Sequence, residues 1–260
     1  TRTILLHAEQ GLGDTIQFAR YVPLLARAGA KVVLEVQPEL KPLLGVLDGV
    51  ASCHARGESL PAFDVHCPLS SLPLAMKTDA GTVPTEIPYL HADKTSLAKW
   101  RARIEALPGK RVAIAWAGHA RHANDRNRSM GLDVLAPLFA LTGVSFISIQ
   151  RDLGETDAAV LARYPNVTHV GDDLADMADT AAVTALADLT LAVDTSVVHL
   201  AGSVGHDVWV MLPFSPDWRW TLDGAHSPWY PRTRLFRQPT IGDWKSVVAT
   251  IGDALGRLTA

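Results

Sequence analysis

Three consecutive segments decide the fold: "LTLAV" (189–193), "DTSVVHLAGSVG" (194–205) and "DVWVML" (207–212). The outer two are short and apolar, which is typical of buried strands, and the middle one has helical spacing. A strand, a helix and a strand in this order predict one unit of a parallel sheet with helices packed on it. The polar run Asp-Thr-Ser stands where the first strand ends, so the same unit indicates a binding site.

The alternation of strands and helices recurs along the chain. In the first half, "RTILLHA" (2–8) and "KVVLEVQ" (31–37) are predicted strands on either side of a predicted helix, "TIQFARYVPLLARAG" (15–29). The pattern restarts with the predicted strands "RVAIAWAG" (111–118) and "VSFISIQ" (144–150). Two α/β halves of this kind imply a cleft where ligands bind at the carboxyl ends of the strands.

A proline-rich, polar segment at 81–95 indicates a connector between the halves. We therefore expect an α/β fold with two Rossmann-like domains, residues 1–95 and 96–240, that face each other across a cleft. An amphipathic helix at 241–260 follows, and we expect it to pack back on the first domain.

The composition is that of an ordinary globular protein, with 260 residues of which 48% are hydrophobic and 20% charged. The net charge of −3 gives no global attraction to nucleic acid or anionic lipid. The sequence has no transmembrane run and no signal peptide. Two cysteines, Cys53 and Cys67, form no disulfide framework and fit a cytoplasmic location. The chain starts at Thr1 without Met, so we expect a longer parent protein.

The opening stretch admits two interpretations at each polar residue. Asp194 either caps the following helix or contacts sugar hydroxyls. Thr195 and Ser196 add two hydroxyls at a helix N-terminus, where free N–H groups and the helix dipole favour phosphate. His199 lies one turn further on the same helix face, either as a core histidine or as a contact to phosphate or ribose.

A second polar turn, "HAEQGLGDTIQ" (7–17), follows the first predicted strand. Gly11 and Gly13 allow the backbone to turn sharply between strand and helix. Asp14 then stands at the helix start, either as an N-cap or as a general base fixed on a rigid turn. The spacing does not match the dinucleotide-binding fingerprint.

A third constellation is the loop 117–135, where Gly118 ends a predicted strand and a cationic run follows: Arg121, His122, Arg126 and Arg128. Such a run is either a solvated surface loop or a site for diphosphate, since arginine offers a planar fork to phosphate oxygens. No D-x-D, H-E-x-x-H or C-x-x-C motif occurs, so we expect no dedicated metal site.

Aromatic residues gather in "PFSPDWRW" (213–220) and "SPWYP" (227–231). Aromatic faces suit sugar rings or a nucleobase, whereas a rigid loop packed on the core is the more common arrangement for most such tryptophans.

These motifs carry a resemblance. "VDTSVVHLAGSVGHDVWVMLPFSPDWRW" (193–220) resembles the donor-binding signature of the glycosyltransferase family 9 heptosyltransferases. "GLGDTIQFARYVPLL" (11–25) resembles their N-terminal Gly-Asp segment, and "RNRSMGLDVL" (126–135) takes the place of their basic diphosphate-contacting residue. The chain is more similar still to the glycosyltransferase-like domain at the C-terminus of bacterial tetratricopeptide-repeat proteins, through "HAEQGLGDTIQF" (7–18), "HANDRNRS" (122–129) and "LPFSPDWRW" (212–220).

The resemblance implies the GT-B architecture, with an acceptor-side first domain and a donor-binding second domain. It also implies a metal-independent, inverting glycosyltransferase that uses a nucleotide-diphosphate sugar and no cofactor. Its partners would be an unidentified glycan, lipid or protein acceptor and upstream tetratricopeptide repeats. Heptose and lipopolysaccharide are not implied, because the residues that would recognise a particular acceptor cannot be matched. Two alternatives remain open: a non-catalytic sugar-nucleotide-binding scaffold and a sugar-nucleotide epimerase.

The resemblance also implies residue roles. Asp14 would be the catalytic base, with Gly11, Gly13 and Gln17 on the acceptor side. The donor-binding residues would be Gly118, Arg126, Arg128, Asp194, Thr195, Ser196 and His199. Two positions depart from the family pattern, since Ser196 stands where glycine is frequent and Arg128 where lysine is frequent.

Overall fold

The computed structural model of the chain describes residues 2–120 and 122–259. Its first domain contains a four-stranded parallel sheet in the order β3-β2-β1-β4. These strands are β1 (Thr3–His7), β2 (Lys31–Val36), β3 (Val50–Ala55) and β4 (Val65–Pro68). The sheet is the first of the two α/β units that the alternating pattern predicted.

The second domain contains a six-stranded parallel sheet in the order β10-β9-β8-β5-β6-β7. Its strands are β5 (Lys110–Ala115), β6 (Val144–Ser148), β7 (Val167–His169), β8 (Leu189–Val193), β9 (Val208–Leu212) and β10 (Thr233–Arg237). This is the doubly wound Rossmann order. From β5 the strands β6 and β7 extend to one side of the sheet, and β8, β9 and β10 then extend to the other side. The crevice at that point lies between the carboxyl ends of β5 and β8.

Helices cover the sheets. In chain order they are α1 (Leu12–Phe18), α2 (Val22–Arg27), α3 (Lys41–Leu44), α4 (Leu72–Ala75), α5 (Lys94–Glu105), α6 (Asp125–Arg128), α7 (Leu132–Leu135), α8 (Glu155–Leu161), α9 (Met177–Leu186), α10 (Ser196–Ser203) and α11 (Trp244–Thr259). Every residue of β8 and β9 is buried, as expected for central strands of a parallel sheet covered on both faces. Among the helices of the described residues, we find none long and apolar enough to span a bilayer.

The first helix differs in detail from its prediction over 15–29. It begins at Leu12, so the "GLGD" segment supplies its N-cap and first turn rather than a preceding loop. A 3-10 turn at Ala19–Tyr21 separates α1 from α2. Pro23 explains this break, because proline has no backbone N–H to continue the helical hydrogen bonds.

The C-terminal helix corrects another expectation. It packs on the second domain, against α7 and β10, and not on the first domain. Its apolar stripe, which includes Trp244 and Ile251, joins the core that contains Phe146. The connection 238–243 is short and returns the chain over the same sheet, so this face is the nearest apolar surface that the helix can cover.

Buried contacts hold the two domains together beside the connector. Arg20 of the first domain donates to the backbone oxygen of Trp229 at 2.9 Å and to that of Pro84 at 3.2 Å. Its guanidinium lies 4.8–5.2 Å from the ring centroids of Tyr89, Trp229 and Tyr230. Such cation–π contacts are stronger when they are desolvated, so this buried cluster fixes the relative position of the domains.

Candidate active site

A cavity of about 1060 Å³ lies between the domains, at the carboxyl ends of β1, β5 and β8. Both halves line it. The first contributes the turn 10–14 and Ser70, and the second contributes the turns after its strands, including 117–119, 149–152, 194–197 and 215–219. The chemistry predicted at separate strand ends therefore meets in one place.

The helices that follow β1 and β8 meet at this cavity. A Cβ atom built on Gly13 of α1 would lie 2.7 Å from Cδ2 of His199 and 3.4 Å from the Cα of Ser196, both on α10. Real Cβ atoms do not approach other atoms as closely as the first of these distances, so the close packing requires glycine at this position. The two helix starts thus face the same space.

Helix α10 begins without a side-chain cap. Its N-cap is Thr195, and no side chain caps its first turn, so the predicted capping by Asp194 is wrong. The reason is local: Thr195 is the residue with extended backbone (φ −140°, ψ 175°), which moves the cap one residue along the chain. The Thr195 hydroxyl is buried and has no hydrogen-bond partner within the described residues. The free N–H groups and this hydroxyl can therefore donate hydrogen bonds to a bound anion.

Asp194 lines the cavity beside that helix start. Burial raises the pKa of its carboxyl group to about 6, and Asp217 acts in the same direction, while Trp220 and the cations Arg128 and Arg219 oppose the shift. The indole N–H of Trp220 itself lies outside hydrogen-bond geometry. Asp194 therefore changes charge near neutral pH, which makes it compatible with either sugar hydroxyls or an adjacent phosphate.

Arg128 reaches the cavity from the loop after β5. Its Nη1 atom donates to the backbone oxygen of Asp194 at 2.7 Å, and its Nε atom lies 3.3 Å from Oδ1 of Asp125. A Cβ atom on Gly118 would lie only 2.5 Å from Nη2 of Arg128. Gly118 is thus the position that leaves room for the guanidinium, and the two residues form one unit of the site.

The remaining cationic positions of this loop behave differently. Arg126 is exposed on α6 and does not line the cavity, whereas His122 does. Arg121 falls outside the described residues. The structure thus brings Arg128 and Gly118 together with Thr195 and places Arg126 away from them.

His199 is a buried histidine, as the first interpretation predicted, and it also lines the cavity. Its Nδ1 atom lies 3.1 Å from the hydroxyl of Tyr230, and its ring stacks on Trp220 with centroids 5.5 Å apart. Burial lowers the pKa of His199 to about 3, and the charges of Arg219 and Arg20 act in the same direction. The imidazole is therefore neutral at physiological pH and contributes hydrogen bonding rather than charge.

Asp14 occupies the third position of α1, whose N-cap is Gly11, so Asp14 is not the N-cap. Its Oδ2 atom accepts a hydrogen bond from the Gly11 N–H at 3.0 Å, and its Oδ1 atom is paired with Nη2 of Arg219. Each carboxylate oxygen carries two lone pairs, so a further hydroxyl can still donate to it. Asp14 is oriented by two partners and lines the cavity.

Arg219 is a cavity residue that the sequence did not indicate. It comes from the second domain and joins three side chains: Nε donates to Gln17 at 2.7 Å, Nη1 to Asp217 at 2.9 Å, and Nη2 to Asp14. Gln17 is fully buried and does not line the cavity; it supports Arg219 instead. Arg219 lies seven residues after the end of β9, in a 3-10 turn at Trp218–Trp220, and its one sequence signal is a lone cation within the aromatic segment "DWRW" (217–220).

The aromatic segments divide as the packing argument suggested. Trp220, Trp229 and Tyr230 are buried in the core, whereas Trp218 is 61% exposed and lines the cavity. Within the residues that the structure describes, no three His, Cys, Asp or Glu side chains are grouped as metal ligands.

Comparison with known proteins gives one relative in sequence. No family model matches the chain. Protein FlbA of Caulobacter vibrioides is 26% identical over 278 residues, an alignment that covers 98% of this chain and 46% of FlbA. The chain therefore spans less than half the length of the curated relative that it matches.

Solved structures are similar over nearly the whole chain. The glycosyl transferase family 9 protein of Veillonella parvula DSM 2008 has a TM-score of 0.66 at 11% identity, with 98% of this chain and 89% of that one covered. E. coli ADP-heptose LPS heptosyltransferase II has a TM-score of 0.62 at 12% identity, with 99% and 100% covered. E. coli heptosyltransferase WaaC, with ADP-2-deoxy-2-fluoro heptose, has a TM-score of 0.57 at 12% identity, with 98% of both chains covered. The fold is thus the GT-B fold of these proteins.

Proposed function

We propose that this chain is a glycosyltransferase domain that transfers a sugar from a nucleotide-diphosphate sugar to a hydroxyl acceptor. The proposal includes metal independence, inversion at the anomeric carbon and a cytoplasmic location. One observation carries it: an uncapped helix start with an arginine beside it, and a carboxylate from the opposite domain, share a single cavity. The GT-B fold and the heptosyltransferases among its structural neighbours support this assignment.

The donor diphosphate would bind at the start of α10. The helix dipole and the free N–H groups favour negative charge there, and the buried Thr195 hydroxyl supplies a further hydrogen bond. Arg128 stands beside the same turn and can form charge-assisted hydrogen bonds with phosphate oxygens. These groups would also stabilise the charge that grows on the departing diphosphate, a role that requires no metal ion.

Asp14 would receive the proton of the acceptor hydroxyl. In the step, the acceptor oxygen forms a bond to the anomeric carbon while the bond between that carbon and the diphosphate oxygen breaks. The electron pair of the broken bond leaves with the nucleotide diphosphate, and the hydroxyl proton passes to Asp14. A single displacement from the opposite face inverts the configuration of the anomeric carbon.

A second candidate function is a non-catalytic sugar-nucleotide-binding scaffold, attached to upstream tetratricopeptide repeats that bind partners. The Asp14–Arg219 pair favours it, because the carboxylate also serves as an anchor between the domains. In that role Asp14 would stabilise the domain arrangement without any part in a reaction.

The test of the donor site is a thermal-shift panel of ADP, UDP, GDP and CDP in EDTA, followed by calorimetry with the nucleotide that gives the largest shift. Binding stabilises the folded chain by an amount that grows with the logarithm of ligand concentration over Kd, so a site of micromolar affinity gives a clear shift at millimolar ligand. We expect one diphosphate to stabilise the protein more than its nucleoside does. Equal shifts for nucleoside and diphosphate would reject a diphosphate site.

A further inference from the structure

A second cavity lies in the second domain, at the sheet edge opposite the candidate active site. Its volume is about 330 Å³, and residues at the amino ends of β5, β8, β9 and β10 line it together with Leu258 in the last turn of α11. A volume of this size is within the range of small-molecule sites. The proposed donor and base residues all lie at the other edge of the sheet, so the proposed reaction leaves this amino-end cavity unused.

The two carboxylates that line the amino-end cavity are each paired with an arginine. Asp188 accepts from Nε and Nη2 of Arg111 at 3.0 and 2.9 Å. Asp207 accepts from Nε and Nη2 of Arg232 at 2.8 and 2.9 Å. These hydrogen bonds hold the pKa of each carboxyl group below its usual value. The negative charges of the cavity are therefore already balanced by forked arginine contacts.

Arg234 is a half-buried cation of the cavity that has no counter-charge. Its guanidinium lies 4.6 Å from the ring centroid of Phe236 and 5.4 Å from that of Trp209, and both rings are buried. Within residues 2–120 and 122–259, its side-chain N–H groups donate to no protein acceptor and no carboxylate pairs with it. A guanidinium that stacks on aromatic rings keeps its planar edge available for a carboxylate or a phosphate.

Lys110 is a second such cation. Its half-buried ammonium group forms neither a hydrogen bond nor an ion pair with the part of the chain that the structure describes. Its charge acts on Asp188 and Asp207, but arginines already hold both carboxylates. Lys110 begins β5, whereas Arg234 belongs to β10, three strands away in the sheet. Three strand spacings amount to about 14 Å, so the two cations border the cavity on different sides.

The surface between these two cations is apolar or neutral. Strands β8 and β9 lie between β5 and β10, and they contribute Leu189 and Trp209 to the cavity. Leu258 adds an apolar side chain that is 51% exposed. The ion pair of Arg232 with Asp207 carries no net charge. An apolar middle with a cation on either side fits a ligand that has an anionic group at each end of a short hydrocarbon chain.

We propose that the amino-end cavity binds a small organic dianion, with one anionic group on Arg234, the other on Lys110 and a short apolar chain between them. This site is independent of the proposed function. Each anionic group is a carboxylate or a phosphate, since both accept charge-assisted hydrogen bonds from arginine and lysine. A monoanion of the same length would cover one of the cations without pairing it, and a covered charge without a partner costs free energy.

The experiment is calorimetry on the whole chain at low ionic strength, because salt screens charges that are partly exposed. The probes are succinate, glutarate, adipate and suberate, with hexanoate as the monoanion that matches adipate in chain length. We expect one length of the dicarboxylate series to bind best, and adipate to bind about tenfold or more tightly than hexanoate. Phosphoglycolate, with a phosphate at one end and a carboxylate at the other, is compared with succinate and shows which anionic group the site prefers.

Three substitutions locate the bound dianion. Arg234→Gln and Lys110→Gln should each weaken the best dicarboxylate about tenfold or more, the loss of one charge-assisted contact. Lys110 has no hydrogen-bond or ion-pair partner among the described residues, so its replacement keeps the test valid even if Arg234→Gln disturbs the stacked rings. Asp207→Asn should act in the opposite direction and strengthen binding, because it frees the Arg232 guanidinium for the ligand.

The matched control is Arg163→Gln. Arg163 also lies over an aromatic ring, that of Tyr164 at 5.9 Å from the centroid, but it lines neither cavity. This variant should bind the dicarboxylate as the unaltered chain does, and so should Arg128→Ala in the candidate active site. Equal losses in Arg163→Gln and Arg234→Gln would show only a general charge effect and would overturn the proposal.

Two further results would overturn it. A loss of dicarboxylate binding in Arg128→Ala, or displacement of the dicarboxylate by a nucleotide diphosphate, would place the anion in the cavity between the domains. Absence of binding by every dianion, or equal affinity for hexanoate and adipate, would reject a dianion site. Neither result bears on nucleotide binding by the unaltered chain, so failure of this inference leaves the proposed function to its own test.

Discussion

Gly13 of the first domain packs directly on His199 of the second, with 2.7 Å between a Cβ built on the glycine and Cδ2 of the imidazole. This contact places the start of α1 against the start of α10, and with them the proposed base and the proposed donor site. Together with the buried Arg20 cluster, it fixes how the two sides of the cleft face each other.

Replacement of Gly13 tests that contact. Gly13→Ala should lower stability by roughly 1–3 kcal/mol, the usual cost of overpacking, because the stacked and buried His199 ring cannot move away freely. Urea denaturation measures the change. The matched control is Gly256→Ala in α11, where the added methyl group meets no atom within 4 Å and should be neutral or slightly stabilising. Equal effects at the two positions would mean that the domain contact is loose.

Arg128 should select for phosphate. Arg128→Ala should weaken nucleotide diphosphate binding by roughly 1.5–3 kcal/mol, the range for hydrogen bonds to charged groups, and should change nucleoside binding little. Calorimetry with both ligands gives the comparison. Arg126→Ala is the control, since that side chain is exposed on the same short helix and lies off the cavity. A similar loss in both variants would show only a general charge effect.

Gly118 should be required for Arg128 to act. A Cβ atom at this position would displace the guanidinium, which lies 2.5 Å away. Gly118→Ala should therefore lower diphosphate affinity about as much as Arg128→Ala does, and the double variant should be no weaker than either single one. Additive losses, measured by the same titrations, would show that the two residues act independently.

Asp194 should leave a signature in the pH dependence of stability. Its pKa is raised from 3.8 to about 6, so between these values the folded chain retains a proton that the unfolded chain has released. The contribution of Asp194 to the free energy of unfolding therefore falls as pH rises through this window. Asp194→Asn lacks this pH-dependent contribution. Its free energy of unfolding should therefore rise relative to that of the unaltered chain as the pH increases, by an amount on the order of 1–2 kcal/mol given the partial solvent contact of Asp194. Urea titrations at pH 4.5 and 7 check this; a difference that does not vary with pH contradicts it.

Much of the fold could be predicted from the sequence, because short apolar runs between turn residues indicate the central strands. The edge strands of the first sheet could not be predicted in this way. Strands β3 and β4, "VASCHA" and "VHCP", are short, polar and partly exposed, so they carry no buried-strand signal. Their place depends on pairing with β2 and β1, which is a tertiary effect.

In the candidate site, too, some features could be predicted from the sequence and others could not. Glycines and hydroxyls at strand ends were recognisable because their local geometry depends on neighbours in sequence. The pair Asp14–Arg219 was not, since its members stand 205 positions apart and meet only when the domains pack. The sequence predicts Asp194 as the N-cap of α10, and the structure has Thr195. Several adjacent polar residues could each cap the helix, and the backbone conformation that decides between them depends on tertiary packing.

The transfer assay of Asp14→Asn tests the central claim most directly. The donor is the nucleotide sugar whose diphosphate gives the largest thermal shift, and turnover is followed as release of the nucleotide diphosphate, with water as the acceptor. Asparagine keeps the shape of the side chain and can accept from Arg219 through its one amide oxygen, but its nitrogen cannot accept from the Gly11 N–H. We therefore expect a modest fall in melting temperature. Loss of the base should reduce turnover by roughly 10²–10⁴-fold, with donor Kd nearly unchanged. Full turnover in this variant would contradict a catalytic role for Asp14 and leave it as an anchor for Arg219.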